Sequence, residues 1–123
     1  PRGFGYDGLR WHVRAYCHRD ESFKDFVVGR FQSVGAARAC DRVDVVDVDW
    51  LETEVLKFRA NRELPEAKRK ALEMDYGMVN GELVLPVRRA MRIYALRRLG
   101  FIQNSLEAGS LNELKQLEWL GTG

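Results

Sequence analysis

Residues 9–18, near the start of the chain, alternate strictly between apolar and polar side chains (LRWHVRAYCH). Because successive side chains of a β-strand point to opposite faces, this pattern predicts a strand with one face on a core. The face expected to be buried carries the apolar members, Leu9, Trp11, Val13, Ala15 and Cys17. The opposite face is expected to be an exposed cationic and hydrogen-bonding row, Arg10, His12, Arg14, Tyr16 and His18.

Two more strands are predicted to follow and to make the first half of the chain rich in β-structure. Residues 23–31 (FKDFVVGRF) are aromatic and β-branched, and the polar residues 19–22 before them suit a turn. Gly29 within this segment indicates a bulge or a close backbone approach, next to Arg30. Residues 42–48 (RVDVVDV) predict a third, less regular strand. Together the three strands predict part of a small β-barrel or a curled sheet, and three strands would leave such a barrel incomplete.

The second half of the chain, from Trp50 onward, predicts the element order β-α-β-α. Strands are expected over 54–59 and 82–87, and helices over 66–74 and 88–99. The borders of these segments hold proline, glycine and an Asn-Gly pair, which begin helices, end helices and make tight turns. This order is typical of a small α/β layer that differs from the β-rich first half.

The end of the chain allows two interpretations. Leucines at 111, 114, 117 and 120 recur every third residue and favour a short helix, whereas residues 116–120 equally suit a closing edge strand. With either ending the fold class is α+β. We expect two domains, over residues 1–49 and 50–123.

Composition and charge exclude several classes of protein. A net charge of +2 is too small for nonspecific coating of DNA or membranes, so attraction for polyanions must come from local clusters. Cys17 and Cys40 are too few for a disulfide framework and lack zinc-site spacing, which favours a reduced, cytoplasmic protein. No apolar run reaches the ~20 residues that span a membrane. Because the chain begins at Pro1 without an initiator Met, we expect a C-terminal portion of a longer protein.

Residues 3–8 spell the pattern G-x-G-x-x-G (GFGYDG). The dinucleotide fingerprint requires a strand before the glycines and a helix after them. Here only Pro1 and Arg2 precede the pattern and a predicted strand follows it, so we interpret it as a turn.

Catalytic and metal sites are not expected. His12 and His18 lie on the face opposite Cys17, and no carboxylate on the same strand face has ligand spacing. The sequence therefore predicts a protein that is not an enzyme and that needs no metal or cofactor.

The polar face of the first strand is the stronger functional candidate. Arginine offers a planar fork of donors for phosphate or guanine, and histidine and tyrosine add donors and stacking surface. Arg10, His12, Arg14 and Tyr16 could thus form a nucleotide or nucleic-acid pocket, or they could be an ordinary solvated strand face. Pattern alone leaves both interpretations open.

A second basic cluster lies in the predicted helix over 88–99, which contains five arginines. Most of the arginines are expected to cover the outer face of this helix. The apolar residues are expected to pack inward: Ala90, Ile93, Tyr94, Ala95 and Leu96. Arg88, at the predicted helix start, is a possible contact for a partner or ligand.

Taken together, these residues resemble a known family. Residues 11–17 (WHVRAYC) and 23–31 (FKDFVVGRF) are similar to the WYL domain of bacterial transcriptional regulators, which is named for a Trp-Tyr-Leu run. Here that run reads Trp-His-Val, as in the branch associated with phage-defence islands. Residues 49–50, 75–78 and 85–94 resemble the WYL C-terminal extension.

The resemblance implies a ligand-sensing, homodimeric part of a regulator. It implies an Sm-like or SH3-like β-barrel with a basic pocket for a nucleotide or short nucleic-acid effector, followed by an α/β dimerisation module. The family's pocket residues carry over to His12, Arg14 and Arg30, while Arg10 and Tyr16 are added from face geometry alone. The resemblance also implies that the first barrel strand is missing and that promoter DNA is bound through an N-terminal winged helix-turn-helix outside this chain.

Two other functions remain open from the sequence. One is a plain single-stranded nucleic-acid-binding module, which needs an exposed stacking residue such as Trp11 or Tyr16. The other is a purely structural dimerisation domain with a vestigial pocket. The alternation weakens the first, because it assigns Trp11 to the core.

Overall fold

The structure, a computed structural model, describes residues 1–39, 45–101 and 115–122. Within these residues it contains two three-stranded antiparallel sheets, with strand orders β1-β2-β3 and β5-β4-β6. The strands are β1 Gly3–Tyr6, β2 Trp11–Cys17, β3 Ser22–Val27, β4 Thr53–Ala60, β5 Leu83–Arg88 and β6 Leu117–Thr122. The α-helices are α1 Val48–Leu51, α2 Glu66–Asp75 and α3 Arg92–Arg98, and single 3-10 turns cover Val28–Arg30 and Arg89–Met91.

The first sheet is built on β2, which pairs with β1 on one side and β3 on the other. The interpretation of the G-x-G-x-x-G segment as a turn was wrong for its first four residues, because Gly3–Tyr6 is β1. Only the end of the pattern forms a turn, in which both the Leu9 and Arg10 amides donate to Asp7 Oδ1. In the part of the chain that the structure describes, this sheet does not close into a barrel.

The third strand predicted over 42–48 differs from the structure. Residues 45–47 are not in a strand, Val48 begins helix α1, and residues 42–44 lie outside the described residues. Asp47 explains the helix, because its side chain accepts the Trp50 amide hydrogen and caps the first turn. Helix α1 also crosses the domain boundary predicted between residues 49 and 50.

Strand β3, which corresponds to the strand predicted over residues 23–31, is shorter than predicted. It ends at Val27, and Gly29 lies in the 3-10 turn Val28–Arg30 rather than in a bulge.

The β-α-β-α order predicted for the second half is confirmed by β4, α2, β5 and α3. Asn80 and Gly81 have φ values of 53° and 75°, as a tight hairpin turn requires. The predicted second helix begins later than expected, since Arg88 ends β5 and α3 starts at Arg92. At the end of the chain the strand interpretation is confirmed by β6, which pairs with β4.

The apolar core belongs to the second sheet. Leu56 and Phe58 on β4 are fully buried and pack with Leu96 of α3. Partly buried residues surround them: Leu83, Leu85, Val87, Ala95, Leu99 and Phe101. Ile93, predicted to pack inward, is 45% exposed because it lies on the outer side of α3.

The first sheet approaches the rest of the molecule through glycines of β1. A Cβ atom on Gly3 would collide with the indole of Trp50, and one on Gly5 would lie 2.6 Å from Met91 Sδ. The glycine-rich sequence therefore has a packing role, since only glycine lets this strand lie so close to α1 and the turn Arg89–Met91.

Candidate functional site

Strand β2 carries three of the predicted site residues, His12, Arg14 and Tyr16, but the burial around this strand differs from the prediction. His12 and Arg14, expected at the surface, are only 4% and 9% exposed, whereas Leu9 and Trp11, expected in the core, are 82% and 56% exposed. Val13 is buried, as expected. Carboxylates from elsewhere in the chain bind Nε2 of His12 and the guanidinium of Arg14 and so offset the cost of burying them, whereas the buried His12 Nδ1 has no hydrogen-bond partner among the described residues.

Arg14 is held by two carboxylates. Its Nε donates to Asp47 Oδ2 at 2.7 Å and its Nη2 to Asp47 Oδ1 at 3.1 Å, which is the two-pronged geometry that arginine favours. Its Nη1 donates to Asp25 Oδ1 at 3.3 Å on the neighbouring strand. The hydrogen bonds from Arg14 to Asp47 raise the pKa of the guanidinium further, against the opposing effect of burial. Arg14 therefore remains charged and fully engaged inside the protein.

His12 is bound in the same way by a carboxylate of the β1–β2 turn. Its Nε2 lies 2.6 Å from Asp7 Oδ2, and since a carboxylate only accepts, Nε2 carries the hydrogen. Burial by itself would raise the pKa of Asp7, but hydrogen bonds from His12 and from the Arg10 and Leu9 amides lower it well below its usual range. The turn is thereby fixed to the strand that follows it.

Tyr94 on α3 completes this buried polar network. Its hydroxyl donates to Asp25 Oδ2 at 2.7 Å, and its ring lies 4.8 Å from the His12 ring, centre to centre. Burial and the bond to Asp25 raise the pKa of Tyr94 to about 12. The network Asp7, His12, Arg14, Asp25, Asp47 and Tyr94 therefore joins the first sheet to α3 and to the cap of α1.

Arg10 and Arg30 form a different and open site. They line a cavity of about 440 Å³ with Trp11, Val27, Val28 and Gly29. The Trp11 ring packs at 5.2 Å from the Tyr6 ring and keeps half of its surface exposed. Arg10 Nε lies 3.5 Å from Asp7 Oδ2. Arg30 forms no ion pair with any residue in the ranges 1–39, 45–101 and 115–122. This cavity combines two accessible guanidinium groups with an exposed aromatic ring.

The remaining predicted site residues lie elsewhere. Tyr16 contacts His18 and Phe23 edge to face, further along β2. Arg88 donates to the Trp50 carbonyl at 2.5 Å and lies 4.5 Å above the Trp50 ring. Arg88 therefore fixes α1 to the end of β5.

Sequence reasoning missed the four partners of the buried pair: Asp7, Asp25, Asp47 and Tyr94. One of them was within reach, because pairing the two predicted strands antiparallel puts Asp25 opposite Arg14. Asp7 lies in the β1–β2 turn, Asp47 caps α1 and Tyr94 lies on α3. No local sequence pattern relates these three residues to β2.

Among the described residues no group of three or more histidine, cysteine or carboxylate side chains could hold a metal ion. None of the helices in the described ranges is long and apolar enough to cross a membrane.

Comparison with known proteins shows the family to which this chain belongs. Residues 53–120 match the family model described as BrxR transcriptional regulator, C-terminal dimerization domain. The chain belongs to this BrxR family. The BrxR match starts at the first residue of β4 and ends within β6, so it covers the second sheet with α2 and α3. The first sheet and its arginine cavity lie outside it.

Longer matches are found to curated relatives. The chain is 37% identical over 120 residues to the DNA-binding transcriptional repressor CapW of Pseudomonas aeruginosa, covering 95% of this chain and 38% of that protein. It is 37% identical over 100 residues to the CapW repressor of Stenotrophomonas maltophilia, covering 80% of this chain and 33% of that protein. A CapW repressor of Escherichia coli is 31% identical over 103 residues, covering 84% of this chain and 34% of that protein. The chain thus spans about a third of the length of these relatives.

Proposed function

We propose that this chain is the effector-sensing and dimerisation part of a bacterial DNA-binding transcriptional regulator. The BrxR match over the second sheet and the similarity to DNA-binding repressors support this assignment. The regulator would act in the cytoplasm, in phage defence, and would reach promoter DNA through a winged helix-turn-helix in another part of the full protein. The first sheet would be the WYL domain, as the resemblance of residues 11–31 suggests.

The outer face of the second sheet is the surface that would meet a second copy. Val84 and Pro86 on β5 pair with Lys57 and Val55 of β4, on the face opposite the buried Leu56 and Phe58 side chains. Val84 is 52% exposed. Val84 thus places an exposed apolar side chain on the edge strand β5, and a homodimer would bury it.

Solution mass tests the dimer. Analytical ultracentrifugation of the wild-type chain should give twice the mass of one chain, and Val84→Asp should shift it to the monomer because a charge would be buried at the contact. Val34→Asp is the matched control, since Val34 is 81% exposed in the first half. A wild-type chain that stays monomeric at high concentration would overturn this part of the proposal.

The effector would bind at Arg10 and Arg30, and the observation that carries this is their position at one open cavity beside Trp11. Each guanidinium can donate two parallel hydrogen bonds to a phosphate, and the exposed indole can stack on a base. In the proposed site His12 and Arg14 would support β2 from behind, since carboxylates already occupy their donors. The ligand class that fits is a nucleotide or a short single-stranded nucleic acid.

Titration tests the effector site. Fluorescence anisotropy with labelled short single-stranded DNA and RNA, and competition by cyclic nucleotides, would be measured over a salt series. Arg30→Ala and Arg10→Ala should each weaken binding about ten-fold, the effect of losing one charge-assisted hydrogen-bonded contact. Arg19→Ala is the control, because the Arg19 side chain is 89% exposed and lies outside the cavity. A folded wild type that binds none of these anions would contradict the sensor role.

The exposure of Trp11 also favours the second candidate, a sequence-tolerant single-stranded nucleic-acid-binding module. Such a module would depend on stacking, so Trp11→Ala should weaken the binding of every oligonucleotide to a similar extent. Mononucleotides should bind such a module too weakly to detect. Selective binding of one nucleotide would favour the sensor. Dimerisation without any binding would favour the purely structural role.

A further inference from the structure

A second basic cleft lies next to the arginine cavity, on the other side of Arg10. Its volume is about 360 Å³, and it lies between the β1–β2 turn and the C-terminal end of α3. The lining consists of Asp7, Gly8, Leu9, Arg10, Tyr94, Arg97 and Arg98. Neither the β2 alternation nor the BrxR match assigns a role to this cleft.

The charged groups of the cleft are unevenly engaged. Asp7 accepts hydrogen bonds at both of its oxygens, from His12 and from backbone amides, and Tyr94 donates its hydroxyl hydrogen to Asp25. Arg97 and Arg98 are exposed and have no ion pair within the described ranges of the chain. Asp7 is therefore neutralised by groups of the chain itself, including Arg10 at 3.5 Å, while Arg97 and Arg98 remain available to a ligand.

Backbone geometry holds one of these cations in position. Gly8 has a φ of +100°, and a Cβ there would lie 3.1 Å from Arg98 Cδ. The Arg98 stem thus packs directly over the turn, which fixes the guanidinium end near the cleft. This contact joins α3 of the second half to the first sheet.

Arg10 lines both the cleft and the neighbouring arginine cavity. The two sites are therefore adjacent and together present Arg30, Arg10, Arg97 and Arg98 around the exposed turn. We propose that one ligand with at least two phosphate groups, a dinucleotide or a longer single-stranded oligonucleotide, spans both sites. This inference rests on the proposed effector function, and it makes α3 of the dimerisation module a direct contact of the effector.

A chain-length series tests this inference. The probes are fluorescein-labelled thymidine 5′-monophosphate and oligothymidylates of two, four and six nucleotides, measured by anisotropy with the full chain. For the wild type, affinity should rise by about ten-fold once a second phosphate can reach Arg97 and Arg98. The variant Arg97→Ala/Arg98→Ala should lose that gain and keep the affinity for the monophosphate. Its salt dependence should also fall by about one unit of slope for each phosphate contact removed.

Controls separate this inference from the proposed function. Arg97→Lys/Arg98→Lys keeps both charges and should retain most of the length gain, and Arg19→Ala should behave as wild type. If Arg97→Ala/Arg98→Ala retains the full gain, these arginines only complement the carbonyl end of α3 and the inference is overturned. Monophosphate binding that still depends on Arg30 would then leave the proposed effector site standing. If the folded wild type binds no probe, both the inference and the proposed effector site fail.

Discussion

The two sheets of this chain are stabilised by different means. The second sheet buries Leu56 and Phe58 completely against α3, in an ordinary apolar core. The first sheet buries His12 and Arg14 instead, both bound to carboxylates, and it is joined to the rest of the chain by the bond of Arg14 to Asp47 and that of Tyr94 to Asp25. Apolar contact tolerates small shifts, whereas a hydrogen-bonded network has one geometry. The first sheet is therefore attached in a defined orientation.

The largest effect is expected in the apolar half. Phe58→Ala removes a fully buried ring, and the cavity and lost contacts should reduce the free energy of unfolding by about 4 kcal/mol. Urea denaturation followed by circular dichroism measures this loss. Phe4→Ala is the comparison, because Phe4 is 67% exposed on β1 and should change the midpoint little. Equal losses in both variants would contradict the view that the second sheet holds the core.

Breaking the buried pair should be the next largest effect. Asp47→Ala leaves the Arg14 guanidinium without its main partner and removes the cap of α1, for an expected loss of about 3 kcal/mol. The double variant Arg14→Met/Asp47→Ala should recover part of that loss, since no guanidinium is then buried without its main partner and Asp25 keeps the hydrogen bond from Tyr94. Denaturation midpoints of both variants test this. Asp20→Ala is the control, as Asp20 bonds to Lys24 at the surface. A double variant that is less stable than Asp47→Ala would contradict the expected cost of the unpaired charge.

A glycine at the junction tests how closely the two halves pack. Gly3→Ala puts a methyl group against the Trp50 indole, and the resulting shift should cost about 2 kcal/mol. Tryptophan fluorescence would report the displaced ring, and thermal unfolding would report the loss of stability. Gly35→Ala is the matched control, because an added Cβ there meets nothing within 4 Å. An unchanged emission spectrum for Gly3→Ala would contradict the close approach of β1 to α1.

The smallest effect concerns one hydrogen bond between the halves. Tyr94→Phe deletes the bond to Asp25 and should cost about 1 kcal/mol at neutral pH. The pKa of Tyr94 is raised from 10.0 to about 12, so its stabilising contribution is complete below pH 10 and is lost as the pH rises to 12. The stability difference between wild type and Tyr94→Phe should therefore shrink over this pH window. A difference that stays constant to pH 12 would show that the hydroxyl is not protected by folding.

Local patterns predicted much of the secondary structure. The alternation over residues 9–18 located β2, the proline at 65 and glycine at 77 bounded α2, and Asn80 with Gly81 marked a hairpin turn. Local patterns failed where a residue's role depends on a distant partner. Asp47 was assigned to a strand because its neighbours are valines, yet it caps α1 and binds Arg14, which lies 33 residues earlier.

The sequence by itself determined the strand, its period of two, and the presence of basic and aromatic groups along it. Only the tertiary structure decided which of those groups are accessible. The side chains of His12 and Arg14 became buried because Asp7, Asp25 and Asp47 offset the cost of removing them from water, while Trp11 and Arg10 remained at the surface. Alternation fixes which residues share a face of a strand, but the partners that fold against that face determine whether it is core or surface.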